Sequence, residues 1–280
     1  MKKGINYWAF SAKNDGSPIG QIEAIKAAKA LGYDSIELTI EAEGSLTCAT
    51  TRDQATEFRK AADSAGIELA TTASGLAWGE SPTDPDPAVR SRAIANYVRS
   101  LEISSWLGAR ALLYLPGMVS ASFVPGYAPQ PYEVVVARAK EAVEALLPTA
   151  EKLKVKLAVE NVWNRFLLSP VEMRDFIDQF DSEWVGSYFD VGNVMLYGHP
   201  EDWIRTLGKR IVAVHMKDFR TAVGNLEGFV DLLSGDVNFR AVVGALCAIS
   251  YNGPYTAEIV PGRDGAPEKA IAALRIIERY

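Results

Sequence analysis

Along this chain, short runs of apolar and β-branched residues alternate with longer stretches whose apolar positions recur at helical spacing. The strand-like runs are Lys3–Trp8 ("KGINYW"), Asp34–Ile40 ("DSIELTI"), Ile67–Ala73 ("IELATTA") and Ala109–Leu115 ("ARALLYL"). They continue with Lys156–Val162 ("KLAVENV"), Val185–Val191 ("VGSYFDV"), Ile211–Lys217 ("IVAVHMK") and Pro254–Val260 ("PYTAEIV"). The stretches between them carry helix start and stop signals. "SPVE" at Ser169–Glu172 and "TRDQ" at Thr51–Gln54 have capping-box spacing, and Pro87 and Pro200 stand where a helix tolerates proline. Gly32, Gly66, Gly108 and Gly208 close apolar-periodic runs, as C-terminal caps do. Eight strand–helix units without a linker or a change of composition predict a parallel sheet closed into a (β/α)8 TIM barrel, one domain over 1–280. A doubly wound open sheet is the competing fold, but no GxGxxG turn follows the first strand.

Composition narrows the functional classes. Hydrophobic residues make up 48% of 280 positions, enough for a large core, and a net charge of −6 disfavours nucleic-acid or anionic-membrane partners. The N-terminus lacks the apolar stretch of a secretion signal, and no run is long and apolar enough to span a bilayer. Cys48 and Cys247 have no metal-ligand spacing and read as free thiols, so a cytoplasmic protein is expected.

In a barrel of this kind, residues at the C-terminal ends of the strands share one mouth, where catalysis takes place. On the last four predicted strands those positions hold Glu160, Asp190, His215 and Glu258. A single charge at a strand end is usually a paired rim residue. Three carboxylates and an imidazole on four consecutive strands would repel one another and carry a heavy desolvation cost unless a cation lay among them. The set therefore predicts one divalent metal ion, with Mn²⁺ the first candidate and Mg²⁺, Co²⁺ or Zn²⁺ the others.

Alternation from His215 turns Lys217 into the barrel, as a contact for a substrate oxygen, and sends Asp218 the other way, to pairing or capping. The same rule puts Glu37 inside, opposite in phase to Ile36, Leu38 and Ile40, against either substrate or a supporting group. Trp8, Trp78 and Trp163 stand at or just past strand ends; Trp8 and Trp163 are taken as walls of a substrate pocket. Asn161 and Arg165 follow the fifth strand as supporting or substrate groups. His199, before Pro200, reads as a helix-start residue. The proline-rich segment after the fourth strand is long enough to act as a lid, and the acidic segment after the seventh disfavours a phosphorylated substrate.

The stretches "VENVWNRFLLSP", "GSYFDVGNVMLYGHPEDWI", "RIVAVHMKDF" and "GDVNF…YNGPYTAEIVP" resemble the sugar isomerase/epimerase family with the xylose-isomerase-like TIM barrel, which includes the D-tagatose 3-epimerase type enzymes. The resemblance spans the whole chain and is most specific in its C-terminal half. It implies that Glu160, Asp190, His215 and Glu258 bind one divalent metal, and that Glu160 and Glu258 also serve as acid and base. A proton would leave the carbon beside a ketose carbonyl, giving an enediolate, and return from the opposite face. Such epimerases carry a histidine shortly after the strand-six aspartate and an arginine after the strand-seven histidine. Here the nearby positions offer Asn193, and Lys217 or Arg220, as substrate-binding groups.

The leading expectation is an epimerase or isomerase acting on a ketose or ketose phosphate, with a small sugar or polyol as partner and homo-oligomerisation left open. A keto-inositol isomerase or dehydratase, a hydroxypyruvate isomerase and a dehydroshikimate-type dehydratase are the alternatives on the same scaffold. A non-catalytic sugar-binding protein has less support, because it has no need of clustered carboxylates. Two histidines and an acidic composition argue against the trizinc endonuclease branch.

Overall fold

The structure is a computed structural model and describes residues 1–10, 19–259 and 264–280. Its framework is a closed barrel of eight parallel strands, β1 (Lys2–Asn6), β2 (Ser35–Thr39), β3 (Thr71–Ala73), β4 (Ala111–Tyr114), β5 (Lys156–Glu160), β6 (Val185–Asp190), β7 (Ile211–Met216) and β10 (Pro254–Ala257). Closure is explicit. β1 pairs with β2 on one side and with β10 on the other, Lys2 opposite Pro254, so the open doubly wound sheet is excluded. Each strand is one to four residues shorter than the sequence pattern suggests. The end of the eighth predicted strand, Val260, lies outside the described residues.

Among the described residues, eight α-helices surround the barrel: α1 (Gln21–Leu31), α2 (Arg52–Ala65), α3 (Pro87–Leu107), α4 (Tyr132–Leu153), α5 (Pro170–Asp178), α6 (Pro200–Leu207), α7 (Phe239–Ala248) and α8 (Ala266–Ile277). Their ends follow the local signals. Thr51 and Gln54 form a reciprocal capping box on α2, and Ser169 accepts the Glu172 N–H at the start of α5. Gly32, Gly66 and Gly108 end their helices with left-handed φ, a conformation that costs glycine little. Ile36, Leu38 and Ile40 are fully buried, as is Glu37 from the opposite phase of the same strand. Among the described residues no helix is long and apolar enough to cross a membrane.

One element departs from the sequence reading. The segment after β7, expected as a plain acidic loop, forms an antiparallel hairpin of β8 (Asp218–Phe219) and β9 (Phe229–Val230). Asp218 fastens its base by accepting the N–H groups of Phe219, Gly235 and Val237. The segment after β4 is fastened too: Asn164 donates to the Gly117 carbonyl at 2.8 Å, and its own carbonyl accepts the Val119 N–H at 3.0 Å.

Candidate metal centre

Backbone register explains why four distant residues meet. Glu160 lies opposite Tyr188 on β6, two residues before Asp190, while Asp190 lies level with His215 on β7. His215 is opposite Thr256 on β10, and Glu258 follows two residues later. Stepping forward by an even number keeps side chains inward, and the forward drift compensates for strand tilt in a closed barrel. One ligand atom from each of Glu160, Asp190, His215 and Glu258 lies within 4.8 Å of the others. Ligands bound to a shared ion at about 2.0–2.6 Å lie at most about 5.2 Å apart, so this spread suits a single cation.

The environment of each ligand selects the atom it presents. Asp190 Oδ1 accepts the backbone N–H groups of Gly192 and Asn193, whereas its buried Oδ2 has no hydrogen-bond partner and faces the cluster. Asn161 brackets the Asp190 backbone, accepting its N–H and donating to its carbonyl. His215 Nδ1 lies 2.9 Å from Glu258 Oε2 and 3.4 Å from Glu160 Oε1, while Nε2 lies 2.7 Å from Glu37 Oε1. An oxygen-rich set with one imidazole nitrogen, an orphaned carboxylate oxygen among its members, fits a hard or borderline divalent cation.

Lys217 contributes a positive charge to the same cluster, 2.9 Å from Glu258 Oε2 and 3.4 Å from Asp190 Oδ2. Burial pushes the Asp190 carboxyl up to about 7, with Lys217 opposing and the Glu258 and Glu160 charges reinforcing the rise. Burial likewise raises Glu160. For Glu258, burial is outweighed by Lys217 and His215, which hold it below the usual carboxylate range. The His215 imidazole is held well above its ordinary value: burial favours the neutral ring, but Glu258 and Glu37 together outweigh it.

Above the cluster is a cavity of about 190 Å³. Trp8, Trp163, Phe229 and Leu226 form walls, and Glu160, Glu258, Lys217 and Asn193 supply polar groups. Trp163 donates to the Asn193 carbonyl at 3.0 Å and packs on Phe219 and Phe229. The sequence reading missed Phe229 and Leu226, which come from β9 and from the turn that joins β8 to it. Trp78 and Phe123 complete one side, packed edge to face at 4.7 Å.

Two expected substrate groups stand elsewhere. Arg220 is exposed and donates to the Ser234 carbonyl at 3.0 Å, because the chain turns into the hairpin just before it; it does not line the cavity. Glu37 lies beneath His215, 1% exposed, with both oxygens engaged by protein groups, and does not line the cavity. Arg165 is exposed as well, and His199 stands at the N-cap of α6.

The profile of the family described as Xylose isomerase-like TIM barrel matches residues 25–280. A putative L-ribulose-5-phosphate 3-epimerase of Escherichia coli K12, SgbU, is 24% identical over 245 residues, covering 85% of this chain and 82% of that protein. A protein of Methanocaldococcus jannaschii is 27% identical over 157 residues, 52% of this chain, and the match spans only 53% of that relative's length. Among solved structures, D-psicose 3-epimerase from Clostridium cellulolyticum H10, solved with D-tagatose, superposes with a TM-score of 0.76 at 22% identity. That superposition covers 100% of this chain and 99% of the epimerase, and it speaks for the fold.

Proposed function

This chain belongs to the xylose isomerase-like TIM barrel family, and from that premise we propose that it is a divalent-metal-dependent sugar epimerase acting on a ketose or ketose phosphate. One observation carries the reading. Of the four clustered residues, only Glu160 and Glu258 border the cavity, while Asp190 and His215 are fully buried beneath it. The two carboxylates able to reach a substrate thus come from the two outer strands of the four-strand arc, β5 and β10.

When bound, the cation, with Mn²⁺ the first candidate, polarises the substrate's carbonyl and neighbouring hydroxyl and makes the adjacent C–H more acidic. One glutamate removes that proton and the other returns a proton from the opposite side, inverting the carbon. Lys217 and Asn193 hold substrate oxygens, and Trp8, Trp163 and Phe229 enclose the carbon skeleton and keep water out. Cys48 and Cys247 are both free, which suits a reducing cytoplasm.

The test is a screen of ketoses and ketose phosphates in deuterated water with Mn²⁺. Exchange at the carbon beside the carbonyl, accompanied by the epimeric product, is the expected result. A panel in which no ketose or ketose phosphate exchanges with Mn²⁺, Mg²⁺ or Co²⁺ overturns the reading.

A further inference from the structure

Both oxygens of the Glu37 carboxylate are engaged by protein groups inside the barrel. Oε1 accepts Asn6 Nδ2–H at 2.6 Å and lies 2.7 Å from His215 Nε2. Oε2 accepts the hydroxyls of Thr71, at 2.6 Å, and Tyr188. These partners come from β1, β3, β6 and β7, so four strands besides its own converge on one side chain that is 1% exposed. The Tyr188 ring also packs against the imidazole, centroids 4.2 Å apart. Burying a carboxylate this deeply is unfavourable unless each oxygen is satisfied, and here each is satisfied twice. A group whose acceptor positions are filled from below and from the sides has none left for a ligand in the cavity above.

Among the described residues, only His215 links Glu37 to the cluster. With Nε2 turned down to Glu37, the ring directs Nδ1 at Glu160 and Glu258. A neutral imidazole carries one hydrogen, and a carboxylate at Nε2 takes that hydrogen bond, which leaves the Nδ1 lone pair for a cation. We propose that Glu37 is a positioning residue for the metal centre: it fixes the tautomer and plane of His215, and Asn6, Thr71 and Tyr188 fix Glu37. This role rests on the proposed metal centre and, of the two places the sequence left open for Glu37, takes the support of a ligand over substrate contact.

The experiment measures Mn²⁺ affinity of purified Glu37 variants by calorimetry, with thermal unfolding as a check of the fold. Glu37→Leu fills similar space without an acceptor and should bind Mn²⁺ roughly 10–100-fold more weakly. Glu37→Gln keeps an oxygen for His215 Nε2 and should stay within about fivefold of wild type, a recovery that a mere space-filling role does not produce. The chain has two histidines, so ¹⁵N-histidine spectra are simple to assign. With Mg²⁺ bound, the wild type and Glu37→Gln should show His215 protonated at Nε2, and Glu37→Leu a mixture. Should Glu37→Leu fail to fold, Glu37→Asp, which withdraws the carboxylate by one methylene, carries the same expectation of weakened binding. Wild-type affinity in the folded leucine or aspartate variant overturns the proposal, as does equal loss in the leucine and glutamine variants. Absence of Mn²⁺ binding by the wild type would overturn the metal centre itself, which separates that failure from this one.

Discussion

The Lys217 ammonium and the Glu258 carboxylate meet at 2.9 Å inside the barrel mouth, on the oxygen that His215 Nδ1 also approaches at 2.9 Å. The charge of three carboxylates is thus partly offset by an ammonium that reaches into the cluster from the cavity side. Gly192 makes room for it: a Cβ there would come within 3.0 Å of the Lys217 backbone and side chain. An ammonium and a divalent cation compete for the same oxygens, so Lys217 is available to a substrate once a cation holds the carboxylates.

That competition sets the outcome of Lys217→Met. Removing the ammonium should tighten Mn²⁺ binding by roughly tenfold, about 1.4 kcal/mol. It should also lower the thermal stability of the metal-free protein, because buried carboxylates lose a partner, a loss on the order of 3–5 kcal/mol. Turnover should fall, since the cavity loses its donor to a substrate oxygen. Calorimetry and melting curves with and without Mn²⁺ check the three expectations; weaker Mn²⁺ binding would show that the ammonium supports the site and does not compete for it.

Protonation gives a second expectation. Burial pushes Asp190 up to about 7, and Glu258 and Glu37 hold His215 well above its ordinary value against the opposing effect of burial. Groups with raised values carry protons near neutrality, and a cation must displace them. Mn²⁺ affinity should therefore increase as pH rises through about 7, with at least one proton released per ion at pH 6.5. Calorimetry in buffers of different ionisation enthalpy measures the release, and a value of zero contradicts the assignment of these residues as ligands.

The barrel was legible because each buried strand lies between helix caps that depend on neighbours in sequence, such as Thr51 with Gln54 and Asp86 with Pro87. The meeting of Glu160, Asp190, His215 and Glu258 was legible because strand alternation is a strict period, and the same period turned Lys217 and Glu37 inward from sequence alone. The partners of those inward residues were not. Tyr188 reaches Glu37 across 151 residues of chain, a contact decided by barrel closure and register. Two-residue strands carry no period, so the β8–β9 hairpin went unread, and Phe229 with it. The place of Arg220 was hidden for the same reason, since the hairpin turns it outward to Ser234.

His215→Ala removes the nitrogen ligand and leaves Glu37 without its link to the cluster. Metal binding and turnover should be lost together, while far-UV circular dichroism stays that of a barrel, because closure depends on the strand ladders and the apolar core. Stability should drop by about 3–5 kcal/mol from the uncompensated buried carboxylate. Retained Mn²⁺ affinity in this variant would remove His215 from the ligand set.

The two glutamates carry the chemistry of the proposed reaction, and their variants should differ from that of His215. Glu160 is 6% and Glu258 13% exposed at the side chain, both toward the cavity, whereas His215 is 0% exposed. Inversion at carbon needs proton removal from one face and return from the other, so either carboxylate alone is insufficient. Glutamine keeps an oxygen for a cation and cannot accept the proton. Glu160→Gln and Glu258→Gln should each bind Mn²⁺, within roughly 100-fold of wild type, and each should lose epimerisation by at least about 10³-fold. Their proton exchange should also be asymmetric. With the substrate epimer whose C–H faces the remaining glutamate, the variant should still exchange that hydrogen with deuterated solvent and return it to the same face. The opposite epimer should be inert in that variant and exchange in the other. Exchange of both epimers by one variant would mean a single base serves both faces. Near wild-type epimerisation by both variants would leave the glutamates as ligands only and move the proton transfer to Lys217, the remaining titratable group among the described residues that line the cavity.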